Sequence, residues 1–305
     1  METPQSGVYA ASLTPLTASY EPDIPALIRH VEQLLETGSN GVAILGSTGE
    51  ANSLTLDQRL SIIKQSAQEL PPERLIMGTG SCSLKDAVRL TQASVDVGVY
   101  AVLVLPPFYY KPQSDESVLR YYSELISFVN DPRLRIIFYS FPLLSGYNFS
   151  LGILQEFKQR FGEIAAGIKD SSGNWENMLN ITQNVPDFMV YTGTETLLLD
   201  ILRAGGAGCI TASANLIAPE CKHVYEAWKN DQQETAEQAQ KKLTLLRRAF
   251  ESYPFVSELK SLLAEQTKST VWQNMLPPFS LLLDEQVKEL TLQIKEFDLD
   301  LSQRL

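Results

Sequence analysis

Lys169 closes an apolar run, Ile164-Ala165-Ala166-Gly167-Ile168, and is followed by the turn-and-cap sequence Asp170-Ser171-Ser172-Gly173-Asn174. Such a run reads as a strand buried on both faces, and parallel α/β folds put their chemistry at the C-terminal edges of these strands. A charged ammonium is costly there, because desolvation favours the neutral amine. A neutral amine can attack a ketone and form a Schiff base. The competing reading is a lysine that snorkels from a strand end to solvent.

Four further segments carry groups that suit such chemistry. Gly46-Ser47-Thr48-Gly49-Glu50 offers two hydroxyls and successive backbone N–H groups, a cradle for a small carboxylate or phosphate. No Gly-Lys-Ser/Thr follows, so it is not a P-loop; the alternative is a plain βα turn. Pro106-Pro107-Phe108-Tyr109-Tyr110-Lys111-Pro112 is an aromatic, proline-stiffened loop whose tyrosines could equally be packing residues. Tyr139 leads Ser140-Phe141-Pro142-Leu143-Leu144-Ser145-Gly146, and a tyrosine at a strand end can move protons when a neighbour polarises it. Gly193-Thr194-Glu195 and Ile210-Thr211-Ala212-Ser213 complete the set.

The elements that must position these groups repeat with a period of roughly 25–30 residues, strand then amphipathic helix, as in successive βα units. Strands are expected at 8–13, 41–45, 74–77, 101–105, 135–139, 164–168, 189–191 and 208–211. Helices are expected between them at 25–37, 56–69, 84–97, 115–129, 151–160, 175–183 and 196–204, with one near 219–229 to finish. Thr55 and Ser83 precede apolar-periodic runs as N-terminal signals. Eight strands separated by helices predict a closed (β/α)8 TIM barrel, which would gather every segment above on one rim. Beyond it the pattern is helix only, at 232–250, 255–265 and 284–297, punctuated by Pro254 and Pro277-Pro278. No Ser/Gly-rich linker intervenes, so 1–229 reads as the catalytic barrel and 230–305 as helices packed on it.

Composition narrows the partners. A net charge of −11 argues against binding nucleic acid or an anionic membrane through a basic surface. Three scattered cysteines give neither a disulfide framework nor zinc-ligand spacing, and only two histidines, His30 and His223, leave little for a triad or a histidine-rich metal site. Both histidines read as structural. The opening Met-Glu-Thr-Pro-Gln-Ser-Gly has no basic region or apolar core, and no apolar run approaches a membrane span, which makes the cytoplasm the expected address.

The 46–50 turn, the double tyrosine, Tyr-x-x-Pro at 139–142 and Gly-x-Lys-Asp-Ser at 167–171 occur in that order and at a spacing that resembles the dihydrodipicolinate synthase/N-acetylneuraminate lyase family over residues 9–215. The resemblance implies class I, Schiff-base aldolases that act on pyruvate or 2-oxo acids without metal or diffusible cofactor, commonly as tetramers. It implies that Lys169 is the Schiff-base lysine, Tyr139 the proton shuttle, and Tyr109 (Tyr110 in the alternative register) a tyrosine reaching a neighbouring subunit's site. Ser47, Thr48 and Gly49 would hold the pyruvate carboxylate, with Gly193 and Ile210 lining the pocket through their backbones.

Departures from the family's branches shape the expected substrate. Leu144 stands where dihydrodipicolinate synthases carry an arginine for a substrate carboxylate. The acidic pair of the sialic acid lyase branch is reduced to Glu195-Thr196, and its serine after the eighth strand is Ala212. Leu56 and Arg59 lie near the histidines linked to lysine feedback in some synthases. The mixture fits an aldolase for a 2-keto-3-deoxy sugar acid or a related 4-hydroxy-2-oxo acid. Dihydrodipicolinate synthase and N-acetylneuraminate lyase are the alternatives within the family, and a non-catalytic keto-acid sensor is the alternative outside enzymes.

Overall fold

The eight apolar runs become the staves of one barrel. The computed structural model describes residues 6–297, so 1–5 of the opening stretch and 298–305 of the C-terminal region lie outside the described residues. The strands are β1 (Gly7–Ala11), β2 (Gly41–Ile44), β3 (Leu75–Gly78), β4 (Ala101–Val104), β5 (Ile136–Ser140), β6 (Ala165–Asp170), β7 (Met189–Thr192) and β8 (Gly208–Thr211). Each pairs in parallel with the next, and β8 pairs with β1 to close the barrel.

Alternation along the strands sorts residues to two sides. Ala43, Ile76, Leu103, Ile137, Tyr139, Tyr191 and Ile210 fill the interior. Phe138, Ile168 and Val190 instead pack outward against helical residues such as Tyr122, Phe157 and Ile181. Each fully buried Ile or Phe contributes roughly 1.5–3 kcal/mol, on either side of the barrel wall.

The surrounding helices are α1 (Ile24–Thr37), α2 (Leu56–Glu69), α3 (Leu84–Asp96), α4 (Asp115–Val129), α5 (Pro142–Ser145), α6 (Leu151–Phe161), α7 (Trp175–Asn184), α8 (Leu198–Arg203) and α9 (Ala214–Lys229). Their starts follow local chemistry. Thr55 and Gln58 cap α2 reciprocally, and the Ser83 hydroxyl accepts from the Asp86 N–H at the start of α3. α5 was not expected; Pro142 opens it and Gly146, at φ +68°, ends it. The helix expected over 196–204 opens instead as a 3-10 turn, Glu195–Leu197, before α8. α9 begins earlier than expected and kinks at Ile217 (φ −123°), just ahead of Pro219.

Three helices follow: α10 (Gln233–Ala249), α11 (Phe255–Thr267) and α12 (Asp284–Lys295). Leu243, Leu246, Leu259, Leu263 and Leu290 from them share one buried cluster with Val8 of β1 and Val224 of α9. No helix among the described residues is long and apolar enough to cross a membrane.

Candidate active site

Register decides which side chains meet. Lys169 pairs with Tyr139 on β5 and with Tyr191 on β7, so it has the inward parity of both. β6 runs through Lys169 to Asp170, two residues past the end that the sequence pattern marked: the lysine lies within the strand rather than after it. Its amine stands 4.5 Å from the Tyr139 ring centroid, and both residues are only 5% exposed. The next inward position below Lys169 is Gly167, where a Cβ would come within 2.2 Å of the Met189 carbonyl oxygen. β6 and β7 therefore approach closely under the lysine.

The turn after β2 is fixed from within and from the side. Gly49 N–H donates to Gly46 O at 3.1 Å and Glu50 N–H to Ser47 O at 3.2 Å, while the Thr14 hydroxyl donates to Gly49 O at 2.8 Å. A Cβ at the buried Gly49 would stand 3.0 Å from Ser12 O and 3.1 Å from Thr14 Oγ1, a tight fit that favours glycine. Among the described residues, the N–H groups and hydroxyls of Ser47 and Thr48 have no hydrogen-bond partner. These half-buried donors are free to meet an anion. Ser47 and Tyr139 line one narrow cleft together with Asn52, Arg59 and Leu105.

The other expected positions divide. Gly193 is half-buried at the rim and donates its N–H to Asp170 O at 2.7 Å, linking β6 to the turn after β7. Ile210 is fully buried in the barrel interior with Tyr139. Tyr109 is not drawn into the Lys169 site of its own chain. It is 75% exposed and packs edge-on against Tyr110, itself 82% exposed, beside a neighbouring open cavity. Leu144 lies on α5 at 41% exposure, and the Lys111 ammonium donates to its carbonyl at 3.0 Å.

Two charged residues gain a place that sequence reasoning did not give them. Arg59 is buried, donates from Nη2 to Gly78 O and Gly80 O, and lines both the Ser47 cleft and the cavity beside Tyr109. Burial pushes its pKa down to about 10, with Tyr121 and Asp86 acting in the opposite sense. Its signal was present: it shares the buried stripe of α2 with Ile62, Ile63 and Ser66, at helical spacing. Glu195 is fully buried and turned away from solvent, accepting from the hydroxyls of Thr211 and Ser213, with Arg247 Nε 3.5 Å away.

Other groups are excluded from nucleophilic roles. Cys209 and Cys221 are buried, and burial raises both thiols well above their ordinary value. Tyr9 and Tyr191 meet edge-on at 5.6 Å, and burial pushes the Tyr9 phenol up to about 12. A larger groove between α11 and α12 contains none of the expected site residues.

The fold and the sequence both have relatives. The Dihydrodipicolinate synthetase family model matches residues 4–297. An uncharacterized DapA-like lyase of Chloroflexus aurantiacus is 31% identical over 234 residues, covering 76% of this chain and 78% of that one. A 4-hydroxy-tetrahydrodipicolinate synthase of Methanopyrus kandleri is 32% identical over 247 residues, covering 80% of each. The crystal structure of dihydrodipicolinate synthase from Agrobacterium tumefaciens superposes with a TM-score of 0.86 at 26% identity, over 96% of this chain and 99% of that one. The chain therefore belongs to the dihydrodipicolinate synthetase family, carbon–carbon lyases of the class I, Schiff-base type.

Proposed function

We propose that this chain makes or breaks a carbon–carbon bond between pyruvate and an aldehyde, acting on a 2-keto-3-deoxy sugar acid or a related 4-hydroxy-2-oxo acid. The observation that carries the reading is the inward, in-register pairing of Lys169 with Tyr139. An apolar side chain at that inward position would add core; a buried amine beside a phenol, at the C-terminal edge of the strands, suits chemistry better than packing. Lys169 Nζ attacks C2 of pyruvate, and loss of water leaves an iminium. That cation draws electrons from the adjacent methyl, which loses a proton and becomes an enamine nucleophile. In cleavage the C3–C4 bonding pair flows into the same iminium while Tyr139 takes the C4 hydroxyl proton.

Ser47, Thr48 and Gly49 hold the pyruvate carboxylate in this reading, supported by the unpartnered donors of the turn. Gly193 and Ile210 line the pocket through their backbones. Tyr109 completes a neighbouring subunit's site in a tetramer or dimer, which its high exposure favours. In this reading the described residues up to 229 form the catalytic barrel and those from 230 onward its supporting helices. The enzyme works in the cytoplasm on small molecules, without metal or diffusible cofactor.

A second reading, condensation of pyruvate with aspartate semialdehyde, is favoured by the names of the relatives and by the Lys111 ammonium beside Leu144. Leu144 itself speaks against it, since it supplies no cation to a second carboxylate. The sialic acid lyase reading is weakened by Glu195, whose carboxylate is already engaged by Thr211 and Ser213. The first test is intact-mass analysis after borohydride reduction with pyruvate. A pyruvate-sized adduct on the wild type and none on Lys169→Ala supports the Schiff base. No adduct on folded wild type rejects it in favour of a keto-acid-binding protein. Parallel assays with 2-keto-3-deoxy acids and aspartate semialdehyde then separate the two catalytic readings.

A further inference from the structure

Glu50 ends the turn that presents Ser47 and Thr48, and it does so in the left-handed region at φ +56°. A side chain there is under steric pressure and persists where its surroundings hold it. Its carboxylate is fully buried and points away from the cleft into the C-terminal helices. One oxygen accepts from the ammonium of Lys260 on α11, also fully buried, and the other from the Leu276 N–H at 2.7 Å. Lys260 donates again to Asn274 O at 3.0 Å, and the Asn274 amide donates to Leu16 O at 2.9 Å. Burial pushes the Lys260 amine below its ordinary value, while Glu50 acts in the opposite sense.

We propose that Lys260, through Glu50, is a positioning residue that sets the aim of the Ser47-Thr48 donors and so governs carboxylate binding. The inference rests on the pyruvate reading above and adds a residue from outside the barrel to it. Neither member of the pair can touch a substrate, since both side chains are fully buried. A pair that served only to staple the C-terminal helices had no need to grip the left-handed residue of this turn. Thr14 holds Gly49 O and Lys260 holds Glu50, whose own N–H donates back to Ser47 O, so the C-terminal end of the turn is anchored and fixes the direction of the two donors just ahead of it.

The test measures half-saturation by pyruvate in borohydride trapping of wild type, Lys260→Met and Glu50→Gln, each well below its own thermal midpoint. Positioning predicts at least a tenfold rise in half-saturation in both variants, while trapping at saturating pyruvate still reaches one adduct per chain. A lowered thermal midpoint with unchanged half-saturation overturns the proposal and leaves a purely structural pair. Should a single variant not fold, Glu50→Gln/Lys260→Met, which leaves no charge buried, is read by the same criterion. An adduct absent from the wild type overturns the pyruvate reading and this inference together; an adduct present with unshifted variants overturns this inference alone.

Discussion

Tyr139 and Lys169 face one another across β5 and β6, in register and on the inner side of the barrel, with amine and ring centroid 4.5 Å apart. Their separation is set by strand pairing rather than by a flexible loop, so each can be tested without moving the other. Lys169→Ala is expected to abolish turnover and leave the circular dichroism spectrum of the barrel intact. Tyr139→Phe is expected to lower kcat by about 10²–10⁴-fold, the range for a positioned proton-transfer group. Wild-type kcat in Tyr139→Phe would remove it from the mechanism.

Leu144 supplies no cation of its own, and the Lys111 ammonium is held at its carbonyl. An arginine at this position would offer a charge-assisted hydrogen bond worth about 1.5–3 kcal/mol, roughly 10–100-fold in binding. Leu144→Arg is therefore expected to raise kcat/KM for aspartate semialdehyde by about tenfold or more. Initial rates with that aldehyde check it. An unchanged value means that the acceptor aldehyde does not pass Leu144.

Tyr109 contributes little to its own chain, being 75% exposed, so its contribution is expected only in the assembled protein. Specific activity should fall on dilution in step with dissociation, followed by light scattering on the same samples. Tyr109→Ala should lower kcat by about tenfold or more, as loss of one member of a proton-transfer set does. A dissociated monomer with full activity would contradict the shared site.

What the sequence disclosed follows from how local each feature is. The strands of this barrel are short runs buried on both faces, so Val102-Leu103-Val104 or Ile136-Ile137-Phe138 could be marked from composition alone. Lys169 was conspicuous because it interrupts such a run. Its inward direction was not legible, since parity depends on register with both β5 and β7. The last barrel helix was expected near 219–229; α9 instead starts at Ala214 and carries Pro219 behind a kink at Ile217. The Glu50–Lys260 pair joins positions 210 residues apart, and no periodicity encodes such a contact.

His30 supplies a prediction about acid stability. The Asn215 amide donates to Ala11 O and Ala212 O, which leaves its Oδ1 to accept from the Leu13 N–H and from His30 Nε2 at 2.8 Å. His30 must therefore carry its proton on Nε2 in the neutral ring. Asn215 ties the end of β1 to the segment after β8, so this histidine stands behind the seam that closes the barrel. Burial lowers the His30 pKa from 6.5 to about 4, with the Asn215 bond opposing the shift. A base whose pKa is lower in the folded state binds its proton more readily when unfolded. The stability it confers is complete above pH 6.5 and is lost as the pH falls toward 4. At pH 5 the loss is about 2 kcal/mol by linkage, or about 3 °C in Tm for a chain of this size. His30→Gln keeps a donor for Asn215 Oδ1 but cannot titrate. Thermal unfolding of both proteins at pH 7 and pH 5 should show a smaller drop in the variant. Equal drops would assign the acid sensitivity to other groups and leave His30 as a packing residue against Trp272, whose ring it meets at 4.9 Å.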